Sequence, residues 1–303
     1  MSAIVSANRS DSCLPRGVRC MPPAPLTNKG SPSKFLARFN ALLTAGWLRP
    51  SRSAARVTLH SYTAPEASAL VNTQIVETAN QLHIIDAQFT QGFAAEARAY
   101  ADSLGKPIDG LYLSHAHPDH ILGASQFADV PFMTTDAVVA DTEGSAGLYA
   151  SRKEQMGDTT PLYAPSGGLA TGSASWDGVA VEIAQIEDAE AANTLTFHFP
   201  EAGLIIAQDL LYASAHAFPL GNVSNWIAAL EAIRDTEGLK VIGAGHGLPA
   251  SPGAVDDAIA YLRFQNEVIA NSADAKAAVA AITEAYPRYG GEDLLAFVNF
   301  RFQ

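Results

Sequence analysis

The chain has only two cysteines, Cys13 and Cys20, and both lie close to its start. The sequence after residue 56 therefore needs no disulfide framework and offers no thiolate as a nucleophile or metal ligand. Long hydrophobic runs are also missing, since no apolar stretch reaches the roughly 18 residues that suggest a membrane-spanning helix. These absences exclude cysteine-based chemistry from most of the chain, and we expect no membrane partner.

Basic residues are scarce after residue 56. Residues 1–56 hold nine Lys and Arg and one acid, whereas the whole chain holds 19 basic and 31 acidic residues. The remainder therefore has ten basic and thirty acidic residues, a formal charge of −20. Such a charge repels nucleic acid and anionic membrane surfaces. We expect a small-molecule substrate and no nucleic-acid partner.

Residues 1–56 differ from the rest of the chain because they are rich in Pro, Ser and Arg. Only Lys34 to Leu48 has the spacing of a short basic amphipathic helix. Three interpretations stay open: a disordered extension, a targeting segment, or sequence ahead of a later start such as Met21. We therefore assign the folded domain to residues 57–303. We expect a cytoplasmic protein, or an exported one if the extension is a targeting signal.

Residues 57–303 alternate between strand and helix patterns, which predicts an α/β fold. The predicted strands are 57–62, 69–76, 81–85, 110–114, 130–134, 178–186, 194–199, 204–207 and 239–242. The predicted helices are 91–104, a short one after His120, 146–156, 224–236, and three near the end at 253–270, 273–285 and 292–300. Residues 157–177, rich in Gly, Pro, Ser and Thr, are interpreted as a mobile loop or a wall of a binding site.

Three histidines and one aspartate follow the apolar strand at 110–114: His115, His117, Asp119 and His120. Imidazole and carboxylate are common ligands of transition metals. Alternation along an extended backbone places His115 and His117 on the same side. Asp119 and His120 lie where the chain leaves the strand and can face a second point. The pattern favours two metal ions over a polar turn with solvated histidines.

Two further residues of ligand type lie at the ends of predicted strands. Asp209 follows the strand at 204–207, and His246 lies between two glycines after the strand at 239–242. Open α/β folds place their sites at such strand ends. We therefore expect both side chains to join the cluster at 115–120.

The His-Ala-His-Pro-Asp-His segment resembles the H-x-H-x-D-H signature of the metallo-β-lactamase superfamily, and the resemblance extends over most of the chain after about residue 57. It implies a four-layer αββα sandwich with C-terminal helices, and two zinc ions per chain. By the same resemblance, Asp209 bridges the two metals and His246 completes the second site. Asp86, directly after the strand at 81–85, would brace the metal-binding loop.

One position departs from that family. Its members normally carry a histidine nineteen residues before the bridging aspartate, where this chain has Glu190. Glu190 is interpreted as a replacement ligand, with Asp188 and Glu187 as rival donors; otherwise it belongs to an acidic surface loop and the first site is impaired. An additional carboxylate favours harder ions, so Mn²⁺ or Fe²⁺ is possible beside Zn²⁺. The expected metal ligands are His115, His117, Asp119, His120, Glu190, Asp209 and His246.

The resemblance implies a hydrolase in which a metal-bound hydroxide attacks the carbonyl of an ester, lactone, thioester or amide. Asp119 would both bind a metal and hold the proton of the nucleophile. Tyr212 is expected either to contact the substrate carbonyl, as in lactone-cleaving members, or to serve ordinary packing. His216 and Trp226 would line the pocket or pack elsewhere, and His198 is expected on the outer face of a strand.

Three functions remain open from the sequence. The aspartate at 209 and the lack of cysteine favour the glyoxalase II and lactonase branches over true β-lactamases. A mononuclear iron oxidoreductase of the persulfide dioxygenase type is the first alternative. The second is a non-catalytic binding module whose first site has decayed through the change at Glu190. A homodimer is possible.

Overall fold

A computed structural model describes residues 57–303, and the extension predicted for residues 1–56 lies outside this range. The strands are β1 Thr58–Thr63, β2 Asn72–Glu77, β3 Leu82–Ile85, β4 Ile108–Tyr112, β5 Phe132–Met133, β6 Gly172–Trp176, β7 Val179–Glu187, β8 Asn193–Phe199, β9 Leu204–Ala213 and β10 Val241–Gly247. The α-helices are α1 Gln91–Ser103, α2 Pro118–Ile121, α3 Asp136–Gly144, α4 Ala146–Met156, α5 Val223–Arg234, α6 Ala254–Asn271 and α7 Ala275–Ala285. Three 3-10 segments are Glu66–Ser68, Ala124–Phe127 and Glu292–Phe302.

The strands form two five-stranded sheets. The first has the order β1-β2-β3-β4-β5, and the second has the order β10-β9-β8-β7-β6. One apolar core joins residues of both sheets, such as Leu111 and Phe197, so the sheets pack face to face. A second core joins β9 and β10 to α5, α6 and α7. The layered α/β fold predicted from the sequence is therefore confirmed. No helix between residues 57 and 303 is apolar enough along a sufficient length to cross a membrane.

Most of the predicted elements are present, but two strands are longer than their sequence pattern indicates. The strand β9 continues to Ala213 and the strand β10 continues to Gly247. A positive φ of 44° at Gln208 interrupts the alternation of β9, and three glycines weaken the strand pattern of β10. Asp209 and His246 consequently lie inside strands and not after them.

Two helices also differ from the sequence-based expectation. The short helix predicted after His120 begins earlier, at Pro118. Proline suits the first helical position because its fixed φ matches the helix and its missing N–H would be unpaired there. The sequence pattern does not predict the helix α3, since this helix buries only Val138 and Thr142 and so has little apolar periodicity.

Side-chain amides link the two sheets beside the end of β10. The Asn72 Nδ2 donates to the carbonyl oxygens of Ala244 at 2.8 Å and Gly247 at 2.6 Å. The Gln74 Nε2 donates to the same Ala244 oxygen at 2.7 Å. Both amides are fully buried, where hydrogen bonds to backbone groups fix one relative position of the strands. These bonds hold the segment that carries His246 against β2.

Replacing Asn72 with alanine leaves the Gly247 carbonyl oxygen with only a long hydrogen bond of 3.5 Å from the Thr63 hydroxyl. Losing the good donor of a buried carbonyl oxygen costs about 1–3 kcal/mol. We expect the Asn72→Ala variant to lose about 2 kcal/mol of unfolding free energy in urea denaturation. Asn299→Ala is the matched control, because this exposed amide bonds only within its own 3-10 segment. It should stay within about 0.5 kcal/mol of the unmodified protein. Equal losses in both variants would contradict the role assigned to Asn72.

Candidate metal centre

The structure brings together the side chains that the sequence analysis proposed as metal ligands. They come from the turn after β4, the first turn of α2, the turn between β7 and β8, and the strands β9 and β10. Their donor atoms form overlapping groups in which every atom lies within 4.8 Å of the others. One group among residues 57–303 includes Asp86 with His115 and His120. Two others do not include it, and their members are His115, His117, Glu190 and Asp209 in the first, and Asp119, His120 and His246 in the second.

The first corner of the site is formed by two histidines and two carboxylates. The His117 Nδ1 lies 3.4 Å from the Glu190 Oε1, and the His115 Nε2 lies 3.9 Å from the Glu190 Oε2. The His115 Nε2 is also 3.5 Å from the Asp209 Oδ2. Two imidazoles and one glutamate are a known ligand set for zinc.

The second corner is formed by His120, His246 and Asp119, with Asp209 shared between the two corners. The His246 Nε2 lies 3.3 Å from the Asp209 Oδ2 and 3.4 Å from the Asp119 Oδ2. The His120 Nε2 lies 3.1 Å from the Asp209 Oδ1. Asp209 therefore presents one oxygen toward His120 and the other toward His115 and His246.

The Asp86 carboxylate braces the loop that carries the histidines. It accepts hydrogen bonds from the Ser114 N–H at 2.8 Å, the Ser114 hydroxyl at 2.6 Å and the His120 Nδ1 at 2.7 Å, and also from the Gln208 side chain. With these bonds made, Asp86 is a support and not a free metal ligand. Holding the Nδ1 of His120 fixes the ring so that its Nε2 faces the cluster.

Hydrogen bonds at Nδ1 also orient the other two buried histidines of the cluster, His115 and His246. The His246 Nδ1 donates to the Ala69 carbonyl oxygen at 2.7 Å. The His115 Nδ1 lies 2.8 Å from the Ser114 hydroxyl. In each case the Nε2 is left to face the site. Hydrogen bonds of this kind set the tautomer and raise the basicity of a ligating imidazole.

Several buried nitrogen and oxygen atoms in the site make no well-directed hydrogen bond among residues 57–303, although some of them lie within ion-pair distance of one another. Leaving a buried polar atom unpaired costs about 1–3 kcal/mol, so a folded protein rarely concentrates such atoms without a ligand. Imidazole nitrogens and carboxylate oxygens are the donors that divalent metals take. The residues present therefore fit a metal centre. The unpaired atoms are the Nε2 of His115, His120 and His246, the Oε2 of Glu190 and the Oδ1 of Asp209.

The charges of the second corner favour a cation. Burial lowers the pKa of His246, but Asp209 and Asp119 outweigh it and bring this pKa to about 10. Burial also lowers the pKa of His120, and the same two carboxylates raise it well above its usual range. A site that stabilises extra positive charge on its histidines also stabilises a metal ion in their midst.

The first corner is closer to neutral. Burial and the neighbouring His115 lower the pKa of His117 to about 3, so this imidazole keeps its lone pair. Burial and the charge of Asp209 raise the pKa of the Glu190 carboxyl well above its usual range. A cation bound here would displace the proton of Glu190 and relieve its repulsion with Asp209.

Of the three acids considered for the missing histidine, only Glu190 joins the cluster. Its side chain is buried. The exposed Asp188 accepts hydrogen bonds from Asn222 at 2.8 Å and from Asn225 at 3.2 Å. The exposed Glu187 accepts one from the Gln185 side chain. The turn between β7 and β8 thus turns one carboxylate inward and the other two outward.

Tyr212 is part of the site, although it lies three residues after Asp209 on the same strand. Residues i and i+3 of a regular strand face opposite sides. The pairing of β9 with β10 shifts register between Ala244 and His246, which brings Tyr212 opposite His246. The two rings stack at 4.6 Å. The Tyr212 hydroxyl lies 2.8 Å from the Asp209 Oδ2 and 3.1 Å from the Glu190 Oε1.

The remaining candidates pack away from the donor atoms. The His216 Nδ1 is hydrogen bonded to the Tyr261 hydroxyl at 2.9 Å, and the Trp226 indole donates to the Leu210 carbonyl at 2.8 Å. His198 is half-buried on β8 and belongs to none of the candidate metal groups found in the described part of the chain.

Four contacts of the site were not foreseen from the sequence. They involve Ser114, Gln208, the Ala69 carbonyl oxygen and Phe218, whose ring lies 4.9 Å from the His117 ring. Residue type and spacing carry no signal for them, because each depends on segments that meet only in the folded chain.

Comparison with known families agrees with this geometry. The family model of the metallo-beta-lactamase superfamily matches residues 70–246, which is more than half of the chain. The protein therefore belongs to the metallo-beta-lactamase superfamily, as the histidine-rich segment predicted. A search of curated protein sequences gives no significant match.

Solved structures show the same fold. A metallo-beta-lactamase from Pontibacter korlensis is similar with a TM-score of 0.54 and 16% identity, over 70% of this chain and 97% of that one. A metallo-beta-lactamase family protein from Thermus thermophilus gives a TM-score of 0.55 and 16% identity, over 79% of this chain and 91% of that one. At this identity the likeness concerns the fold alone.

The close approach of β10 to Asp209 provides a test of the site. A Cβ atom added at Gly245 would lie 1.8 Å from the Asp209 Oδ1 and 2.6 Å from the Asp209 backbone nitrogen. We expect Gly245→Ala to displace this carboxylate and to lower the metal content measured by elemental analysis at least by half. Gly144→Ala, where nothing lies within 4 Å, should retain the full content. Circular dichroism of both variants separates metal loss from unfolding, and undiminished metal in a folded Gly245→Ala protein would contradict the assignment.

Proposed function

We propose that the protein is a metal-dependent hydrolase that acts on a carbonyl group of a small molecule, namely an ester, lactone, thioester or amide. The observation that carries this proposal is the convergence of unpaired buried nitrogen and oxygen atoms on the two sides of Asp209. The family supplies the general class, because residues 70–246 match the metallo-beta-lactamase superfamily.

The donor set supports two metal ions. His115, His117 and Glu190 would hold the first, and Asp119, His120 and His246 the second, with Asp209 between them. Bound there, divalent ions would supply Lewis acidity toward the carbonyl and a lowered pKa of water. Zn²⁺ suits the histidines, and the carboxylates make Mn²⁺ or Fe²⁺ the alternatives.

Asp119 is suited to orient the attacking water. Its side chain keeps 22% exposure, whereas the side chain of Asp209 is almost fully buried. Burial raises the pKa of Asp119, but His120 and His246 outweigh it and hold this pKa well below the usual range. The carboxylate is therefore ionised at neutral pH and accepts a hydrogen bond from a water molecule at the rim of the site.

The Tyr212 hydroxyl has its hydrogen-bonding capacity directed at Asp209 and Glu190. Burial and the charges of these two carboxylates raise its pKa well above the usual range, so it stays a neutral donor. Its role in the proposed reaction is to hold both carboxylates in place. The absence of cysteine after residue 56 and the aspartate at 209 favour glyoxalase II-like or lactonase-like substrates.

The proposal predicts that metal and activity depend on the same residues. His115→Ala and Asp209→Ala should each lose at least half of the bound metal and nearly all hydrolysis of ester and lactone substrates, because each removes a buried donor. His198→Ala is the control with a histidine away from the site, and it should keep both. Elemental analysis and a substrate panel provide the two measurements.

Two results would contradict the proposal. Full metal content in both site variants would show that His115 and Asp209 do not bind the metal. One iron per chain, with oxygen consumption in place of hydrolysis, would assign the protein to the oxidoreductase class.

The carboxylate at 190 predicts a shift in metal preference. Glu190→His would remove a hard oxygen donor from the first corner and add an imidazole, so the ratio of bound zinc to manganese should rise at least threefold when both ions compete. Asp188→His is the matched control, because Asp188 lies two residues away and faces outward. An unchanged ratio in Glu190→His, measured by elemental analysis after competitive loading, would show that Glu190 does not bind the metal.

A further inference from the structure

A row of aromatic rings leads away from the metal centre on the side of His117. The Phe218 ring meets the His117 ring edge-on at a centroid distance of 4.9 Å, and the Phe297 ring meets Phe218 in the same way at 4.9 Å. Phe300 stacks against Phe297 at 6.1 Å and is 58% exposed. We call Phe218, Phe297 and Phe300 the aromatic strip. It connects a proposed metal ligand with solvent.

Hydrogen bonds tie together the segments that surround the strip. Arg301 donates to the Pro219 carbonyl oxygen at 3.0 Å, which ties the C-terminal 3-10 segment to the loop that carries Phe218. On the other side, the Tyr149 hydroxyl donates to the Ala116 carbonyl oxygen at 2.6 Å. This bond docks α4 on the segment between His115 and His117.

The helix α4 adds one cation to the strip. The Arg152 guanidinium lies over the Phe297 ring at 5.8 Å, within the range of a cation–π contact. It donates one hydrogen bond, to Gln155 at 3.0 Å. Among residues 57–303 no carboxylate lies within ion-pair distance of it, although acids outnumber bases three to one after residue 56. Leu148 is exposed, and its place one turn earlier on the same helix face adds apolar surface.

An aromatic surface beside a guanidinium without a carboxylate partner suits a ligand that has an apolar part and an anionic group. Aromatic rings accept an apolar or aromatic group, and guanidinium binds carboxylate and similar anions through several N–H groups. We propose that the aromatic strip and Arg152 form the substrate-binding subsite, and that the substrate carries an apolar arm ending in an anionic group. This inference rests on the proposed hydrolase function for its position beside the scissile bond, but the binding itself does not require turnover.

The test uses two unreactive probes on the full-length protein, 3-phenylpropane-1-sulfonate and 3-phenylpropan-1-ol. The sulfonate keeps a negative charge and is a weak metal ligand, whereas the alcohol has the same arm without the charge. Isothermal titration should show the sulfonate binding about tenfold more tightly, as expected of one charge-assisted contact. In Arg152→Gln this preference should fall to about twofold or less, while the affinity for the alcohol stays unchanged.

Two further variants give a control and a test of the aromatic contact. Arg263→Gln removes an exposed arginine on α6 and should keep the tenfold preference. Phe297→Leu keeps an apolar side chain and should weaken both probes about threefold through the loss of the aromatic contact. Equal affinities for the two probes in the unmodified protein, or an unchanged preference in Arg152→Gln, would overturn the proposal.

A third result would also overturn it. If Phe300→Ser converted a dimer into a monomer and left probe binding unchanged, the strip would be a contact between two copies of the chain. Failure of the hydrolase function is distinguishable from these outcomes. In that case the probes would still show the preference for the anion and its loss in Arg152→Gln, but no ester or lactone would be hydrolysed.

Discussion

The site depends on the contacts that the Asp209 carboxylate makes with three histidines. Its two oxygens lie 3.1 to 3.5 Å from the nitrogens of three histidines, of which His115 and His120 come from one segment and His246 from the strand β10. A buried carboxylate in such a place is stable only with positive charge around it. Asp209 and Asp119 raise the pKa of His120 and of His246, which favours positive charge on both imidazoles. The same field favours divalent ions, which bring that charge without the protons.

An irregularity in the second sheet places Asp209 among these histidines. The positive φ at Gln208 and the register shift between β9 and β10 place Asp209 and Tyr212 in the site together. Gly245 allows β10 to pass close to the Asp209 carboxylate. The amides of Asn72 and Gln74 then hold β10 against the first sheet. Bulges of this kind are common next to functional sites because they redirect side chains.

Substituting Glu190 for the histidine usual in the family changes the charge of the first corner. A neutral imidazole needs no counter-charge, whereas the Glu190 carboxyl is buried beside Asp209 and has a raised pKa. The Tyr212 hydroxyl lies between the two carboxylates and reduces their repulsion. Tyr212 therefore has a structural reason to be present here, besides any contact with substrate.

The sequence predicted the residue types of the site and the layers of the fold, because both follow from local patterns. His115, His117 and His120 come from one segment, and His246 stands out between glycines. The interruption of β9 was not predictable, since it depends on the pairing of β9 with β10. The outward turn of Asp188 and Glu187 and the approach of Phe218 to His117 also depend on tertiary contacts. Alternation and helical periodicity contain no information about such contacts.

The central claim is that one pocket around Asp209 holds a pair of cations. A crystal structure of the protein grown with zinc, with data collected at the zinc absorption edge, tests it most directly. The account predicts two anomalous peaks about 3.5–4 Å apart, one on each side of the Asp209 carboxylate. Absence of any anomalous peak among these side chains in well-resolved crystals would contradict it.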